Sequence, residues 1–139
     1  MLKELIEQGF YPKEDLNCAE TILYGANQVY GLGLSKDCLR LSAAFGGGMG
    51  TENVCGVVTA SLMVLGFMFV EEHAHQSPEI KDLCKELFDR YTKELGNFDC
   101  KPLKEEYRTE EKKCYNIILK GAEILDSIVT SEKKKREIK

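Results

Sequence analysis

Cysteine is the residue type with the greatest capacity for chemistry in this sequence. The chain has 139 residues and six cysteines, and none of the six belongs to a Cys-x-x-Cys pair. The local motifs of ferredoxins, zinc ribbons and thioredoxins are therefore absent. The first residues do not form a secretory signal, so we expect a cytoplasmic protein, in which thiols are kept reduced and a disulfide framework is not favoured. The cysteines predict either a metal or redox centre or ordinary buried thiols, and their spacing alone does not separate the two.

Three of the cysteines open apolar helical stripes. Cys18, Cys55 and Cys114 each precede apolar residues at steps of three and four, which is the period of one helix face. Helix starts carry free amide groups and a partial positive charge, which lower the pKa of a thiol and stabilise thiolates or an anionic cluster. Cys100 lies in residues 97–109, which have no clear period, and we predict that it reaches the same centre from a loop.

A glycine-rich run, Phe45-Gly-Gly-Gly-Met-Gly, leads towards Cys55. Amides at such a helix start can form an anion nest, but the Gly-Lys-Ser/Thr ending of a P-loop is missing and no strand precedes the run. We predict that backbone approaches the centre here and donates amides to its sulfurs, at Gly47, Gly48, Gly50 and Gly56. A flexible link between two helices is the alternative interpretation.

The other residues with ligand chemistry have weaker patterns. Cys38 and Cys84 have apolar neighbours at helical spacing, and we predict that both lie in the core. His73 and His75 could bind a metal together with nearby acids, but their position favours solvated residues at a helix end. No Ser/His/Asp set or acid pair stands out, so the sequence predicts no catalytic residue and gives hydrolase chemistry no support.

The elements that must position these cysteines are predicted to be helices. No stretch alternates between apolar and polar residues, as a half-buried strand would. The pattern therefore indicates an all-α, single-domain bundle of five to six helices. The first helix should stop at Gly9, because Pro12 disfavours its continuation. The segment from Val54 to Val70 is apolar on all sides and is predicted to be the central helix. The predicted helices cover residues 2–8, 15–30, 35–43, 51–70, 77–95 and 110–129, within a domain of residues 1–130 and before a basic tail of residues 131–139.

Charge and hydropathy exclude two kinds of partner. The net charge is −4, and the one basic cluster, residues 133–136, lies beyond the last apolar periodicity, which argues against nucleic-acid binding. The most apolar segment has about 17 residues and includes Thr59 and Ser61, which is too short and too polar for a membrane span. We expect a protein that binds neither nucleic acid nor membrane.

The cysteine and glycine patterns together resemble a known family of redox-active proteins. Its signature is written C_GCAxxG_C_C, and four cysteines characterise it. Around the second cysteine this chain departs from the family pattern, with Val57 in place of alanine and Ala60 in place of glycine. The likeness covers nearly the whole chain and rests on Asn17-Cys18-Ala19, the glycine run into Cys55, Cys100 after an aromatic-containing loop, and Cys114 in the last helix.

The chain also looks like the cluster-bearing part of the split-Soret cytochromes, which are helical dimers with haem and an iron–sulfur centre. It has no Cys-x-x-Cys-His attachment sequence, so the haem does not carry over. The resemblance implies an iron–sulfur cluster with two or four irons, held by Cys18, Cys55, Cys100 and Cys114. It further implies a homodimer that transfers electrons, or senses redox state, with a partner oxidoreductase or electron carrier, rather than a stand-alone enzyme.

Two alternatives use the same four cysteines. A thiol–disulfide oxidoreductase would cycle two of them between dithiol and disulfide, with the others in support. A structural zinc site in an interaction protein would use them to stabilise the fold without redox chemistry. Zinc ranks lower because the paired cysteine spacing of structural zinc sites is missing.

Overall fold

The structure is a computed structural model that describes residues 1–138, and within them every regular element is helical. Two short 3-10 turns, Arg40–Phe45 and Ala74–Gln76, and a kinked turn at Gly48–Glu52 connect some of the helices. The all-α prediction is confirmed, although the predicted count of five to six is too low. The helices are α1 (Leu2–Glu7), α2 (Phe10–Glu14), α3 (Cys18–Tyr30), α4 (Lys36–Leu39), α5 (Gly56–Phe69), α6 (Glu79–Leu95), α7 (Cys100–Tyr107) and α8 (Tyr115–Ile138).

The two helices that the sequence did not predict, α2 and α7, each contain a proline. Pro12 is the third residue of α2, and Pro102 is the third residue of α7. An amide N–H in the first turn has no partner within its helix, so a proline there removes no helical hydrogen bond. The prediction that the first helix stops at Gly9 is confirmed, because α1 ends at Glu7 and Gly9 is left-handed, but the separate helix α2 was missed. The loop predicted for residues 97–109 is mostly helix.

The core lies between the longer helices. Helix α5 packs against α3, α6 and α8, and α1 packs against α8 and α3. The period of α6 turns Leu83, Leu87, Tyr91 and Leu95 inward, while α5 leaves Phe67 53% exposed. Among the described helices, none combines the length and the apolar character that a bilayer crossing requires.

The two ends of the described chain are tied to this core. The Asp126 carboxylate accepts hydrogen bonds from the Leu2 and Lys3 amides, both at 2.9 Å, and from the Tyr30 hydroxyl at 2.6 Å. Helix α8 was predicted to end near Val129 but continues to Ile138. Its basic end suits the negative end of the helix dipole, and the Arg136 guanidinium lies 4.8 Å from the centre of the Phe69 ring.

Side-chain caps fix the starts of two helices that carry cysteines, α3 and α4. Ser35 caps α4 as predicted, because its hydroxyl accepts from the Cys38 amide. Asn17, which was not predicted as a cap, accepts from the Glu20 amide at 2.8 Å, so α3 begins at Cys18 rather than near Asp15. The cap predicted for α5 at Thr51 or Asn53 is wrong, because α5 begins only after Cys55.

Candidate functional site: four cysteines at one cavity

The four cysteines of the predicted centre line a single cavity of about 200 Å³. Cys55 and Cys100 are buried, whereas Cys18 and Cys114 are half-buried, and all four are free thiols. They come from positions nearly a hundred residues apart in the sequence. The rest of the cavity wall consists of Tyr11, Asn17, Gly47, Leu103, Lys104, Arg108 and Ile117.

Each of these cysteines stands at the start of a different helix. Cys18 and Cys100 are the first residues of α3 and α7, and Cys55 and Cys114 directly precede α5 and α8. The carbonyl groups of Cys55 and Cys114 accept the first helical hydrogen bonds, from amides four residues onward at 3.1 and 2.9 Å. The prediction that Cys18, Cys55 and Cys114 lie at helix starts is confirmed, and Cys100 lies at a helix start as well. The prediction of a loop position for Cys100 is wrong, because Pro102 is compatible with the first turn of α7.

A short backbone pairing fixes Cys55 beside Cys100. The Cys55 amide donates to the Phe98 carbonyl at 2.8 Å, and the Cys100 amide donates to the Asn53 carbonyl. These two bonds form an isolated antiparallel bridge between Val54 and Asp99. The Phe98 ring packs edge-on against Phe88 of α6, with 5.0 Å between ring centres, which anchors the segment before α7 to the core. The starts of α5 and α7 are therefore held together by main-chain atoms.

Two of the predicted glycines make room for cysteines. A Cβ atom on Gly56 would lie 2.6 Å from the Cys18 Sγ, so only glycine lets this sulfur reach the start of α5. Gly48 is buried with φ 62°, and a Cβ there would lie 2.8 Å from the Cys100 Cβ. Gly47 lines the cavity, whereas Gly50 is exposed, does not line it and meets nothing within 4 Å. The structure thus brings three of the four predicted glycines to the cysteines.

The buried cysteine of α5 has one polar side-chain neighbour. The Cys55 Sγ lies 3.5 Å from the Tyr91 hydroxyl. Burial raises the pKa of the Cys55 thiol to about 12, although the Tyr91 hydroxyl and the amides of Val57 and Val58 lower it, and Cys18 raises it further. Burial thus outweighs the helix-start effect, and without a bound cation this sulfur keeps its proton at neutral pH.

Two cations, Lys104 and Arg108, line the cavity with the cysteines. Burial raises the pKa of Cys100, and Lys104 opposes that shift. Burial also raises the pKa of Cys114, and Arg108 and Lys104 oppose it. Lys104 in addition forms an ion pair of 3.0 Å with Glu52. The cations stabilise negative charge in the cavity, but burial has the larger effect on the pKa of both thiols.

Sequence reasoning missed Tyr91, Lys104 and Arg108. A signal for the cations was present, since Cys100, Lys104 and Arg108 are spaced four residues apart and so share one helix face. That signal was hidden because residues 97–109 were interpreted as a loop. Nothing in the local sequence distinguishes Tyr91 from the other residues of the apolar stripe on α6.

The remaining candidate ligands stand apart from the cavity. Cys38 is exposed, so the prediction that it lies in the core is wrong: the single turn of α4 buries Leu39 instead. Cys84 is half-buried on α6, and His73 and His75 are exposed between α5 and α6. Within residues 1–138, no group of three or more His, Cys, Asp or Glu side chains is placed so that it could hold a metal ion. The four thiols therefore surround a cavity without meeting at one point.

Helices that each begin at a cysteine, arranged around one cavity, define a helical protein with a candidate thiol or metal centre. The family described as "Putative redox-active protein (C_GCAxxG_C_C)" matches residues 16–128, which include all four cysteines. The chain belongs to this family of redox-active proteins, as the sequence predicted. No curated protein and no solved structure matches the chain.

Proposed function

We propose that this protein binds one iron–sulfur cluster through Cys18, Cys55, Cys100 and Cys114 and exchanges electrons with a partner oxidoreductase or electron carrier. The observation that carries the proposal is the cavity of about 200 Å³ that these four cysteines share. Four cysteine thiolates are the usual ligands of two-iron and four-iron clusters, which accept and return single electrons. The family description agrees with redox activity and names no cofactor.

The surroundings of the cavity suit four thiolates. A thiolate must lose its proton, and burial opposes that loss at Cys55, Cys100 and Cys114. The opposing groups are Lys104, Arg108 and the amides at the helix starts, all of which stabilise negative charge. A bound cation supplies the remaining stabilisation, so ligand deprotonation and metal uptake are coupled.

The two alternatives have less support. One zinc ion needs four ligand atoms at about 2.0–2.3 Å from a single point, whereas the described thiols surround a volume. A thiol–disulfide oxidoreductase needs a thiolate at neutral pH, and burial raises the pKa of three of the four thiols, Cys55, Cys100 and Cys114. The cluster is favoured because several irons distribute their ligands over a larger space than one ion does.

The test is anaerobic purification or reconstitution, followed by iron and sulfide analysis and an absorption spectrum. The proposal predicts stoichiometric iron and sulfide and a visible absorption that dithionite bleaches. Serine at any of positions 18, 55, 100 or 114 should reduce the bound iron severalfold or more. The matched control is Cys38→Ser combined with Cys84→Ser, which removes the two cysteines outside the cavity and should leave iron binding unchanged.

Four other outcomes would contradict the proposed iron–sulfur cluster. A colourless wild-type protein without iron after reconstitution overturns it. Zinc without visible absorption, released together with unfolding, supports the structural zinc site. A two-electron thiol titration without metal, lost with two of the four cysteines, supports the oxidoreductase. Equal iron loss in the control double variant would show that the cavity does not define the site.

A further inference from the structure

Tyr91 is the largest of the fully buried side chains. It lies on α6, where the helix period turns it towards the core, and its accessible surface is 0%. A buried phenol hydroxyl costs free energy unless it has a hydrogen-bond partner. Among the described residues, the partner of this hydroxyl is the Cys55 Sγ at 3.5 Å. The Tyr91 hydroxyl therefore has one sulfur of the candidate centre as its hydrogen-bond partner.

The neighbouring helix is shaped to admit the Tyr91 ring. Gly121 of α8 is buried, and a Cβ atom there would lie 3.4 Å from the Tyr91 Cε2 and 2.2 Å from the Val57 Cγ1. An alanine at this position would displace Val57, which stands two residues after Cys55, and would come into van der Waals contact with the ring. The ring is thus wedged among α5, α6 and α8 with its hydroxyl at the sulfur.

The direction of the hydrogen bond depends on the state of the sulfur. Between a phenol and a thiol, either group can donate. A thiolate or metal-bound sulfur carries no proton, so in that state Tyr91 is the donor.

We propose that Tyr91 is a positioning residue that donates a hydrogen bond to the Cys55 sulfur and thereby raises the reduction potential of the cysteine centre. This inference rests on the proposed function and identifies a residue that tunes it. Hydrogen bonds to ligand sulfurs remove electron density from the cluster, which stabilises the reduced state and makes the potential more positive. Tyr91 contributes no ligand, so its effect appears in the potential and not in the amount of bound iron.

The experiment compares Tyr91→Phe with Tyr107→Phe in the reconstituted full-length chain. Phenylalanine keeps the ring and removes the hydroxyl. Tyr107 is the matched control, because its hydroxyl donates to the Leu95 carbonyl at 3.1 Å and does not touch a cysteine. We expect both variants to bind wild-type amounts of iron, while Tyr91→Phe alone shifts the potential in a redox titration to a more negative value. An unchanged or more positive potential in loaded Tyr91→Phe overturns the inference.

A second measurement on metal-free, reduced protein keeps the two proposals separate. Mass spectrometry follows alkylation of Cys55 by iodoacetamide at pH 9. Because a bond from Tyr91 stabilises the thiolate, Tyr91→Phe should lower the thiolate fraction about tenfold; the remaining thiolate is a stronger nucleophile, so the reaction should slow about threefold, and Tyr107→Phe should leave the rate unchanged. If wild-type protein takes up no cluster, the proposed function fails, and this rate still decides the role of Tyr91: equal rates in the wild-type and Tyr91→Phe proteins overturn it. Far-ultraviolet circular dichroism checks that each variant is folded.

Discussion

At the scale of single residues, the contact between Gly56 and Cys18 leaves no room for a side chain at position 56. An added methyl group would lie 2.6 Å from the Cys18 sulfur and 2.9 Å from the Phe45 carbonyl oxygen. We expect Gly56→Ala to lower the free energy of unfolding by about 1–3 kcal/mol, which is typical of overpacking, and to reduce iron uptake. Urea unfolding and iron analysis measure the two effects.

Gly66 is the matched control for this substitution. It lies in the same helix, and a Cβ atom added to it would meet nothing within 4 Å. Alanine there should raise the free energy of unfolding by about 0.5–1 kcal/mol through helix propensity and leave iron uptake unchanged. Equal stability of the two variants would show that the close approach of the Cys18 sulfur does not constrain position 56.

The buried thiol of Cys55 predicts alkaline destabilisation of the metal-free protein. Its pKa is raised from 9.0 to about 12, so the folded state holds the proton more tightly than the unfolded state. The stabilisation is complete below about pH 9 and is lost as the pH rises towards 12, with a slope of at most about 1.4 kcal/mol per pH unit. Urea unfolding of reduced protein between pH 7 and 11 measures this slope.

Cys55→Ser should make that slope shallower, because serine does not titrate in this range. Part of the slope should remain, since the pKa values of Tyr91, Cys100 and Cys114 are also raised. Cys38→Ser removes an exposed thiol instead and should leave the slope as it is. A slope that Cys55→Ser does not change would assign the alkaline loss to other groups.

At the scale of elements, Asn17 sets where α3 begins and therefore where Cys18 lies. Its side-chain oxygen accepts from the Glu20 amide at 2.8 Å, and its side-chain nitrogen donates to the Ala43 carbonyl at 2.9 Å. We expect Asn17→Ala to lower the free energy of unfolding by about 1–2 kcal/mol, because the helix loses its cap. Asn17→Asp keeps the acceptor and loses only the donor, so it should cost less. Thermal and urea unfolding compare them, and a larger loss for Asn17→Asp would contradict the capping role.

The elements also show what sequence patterns could and could not predict. The ends of α3 and α6 were predicted because Gly31 and Gly96 take the left-handed conformation that stops a helix. Pro12 and Pro102 misled the prediction, because a proline is harmless in a first turn, and the sequence does not reveal where the turn begins. The extension of α8 to Ile138 was missed for another reason: Arg136 stabilises it through Phe69, a contact between distant parts of the chain.

At the candidate site, the cysteines could be predicted from the sequence and Tyr91 could not. The cysteines could be found because their residue type limits their chemistry, because Cys18, Cys55 and Cys114 each open an apolar stripe, and because the family resemblance includes Cys100. Tyr91 could not be found in this way, because tyrosine is common in apolar helix stripes. Only the structure shows that its hydroxyl contacts a cysteine sulfur. Contact with Cys55 requires α5 and α6 to pack side by side, and the sequence gives no direct signal of that packing.

At the scale of the whole molecule, the homodimer predicted from the sequence remains a proposal with one candidate surface. Phe67 of α5 is 53% exposed, although α5 is the most apolar helix of the core. We expect wild-type protein to sediment as a dimer and Phe67→Lys to shift it towards monomer without loss of iron, because a lysine at the interface would bury a charge. Leu41, which is 71% exposed on another element, provides the control Leu41→Lys. A wild-type monomer would remove the dimer proposal.

The bridge between Val54 and Asp99 has a consequence for how such a chain can diverge. Its two hydrogen bonds use the amides of Cys55 and Cys100 and the carbonyls of Phe98 and Asn53, and no side chain takes part in them. The residue that supplies each sulfur thus also supplies the amide that fixes its place. A different side chain at Asn53 or Asp99 removes neither hydrogen bond, so the alignment of the two thiols does not depend on those side chains, whereas Phe98 also holds the segment through its ring.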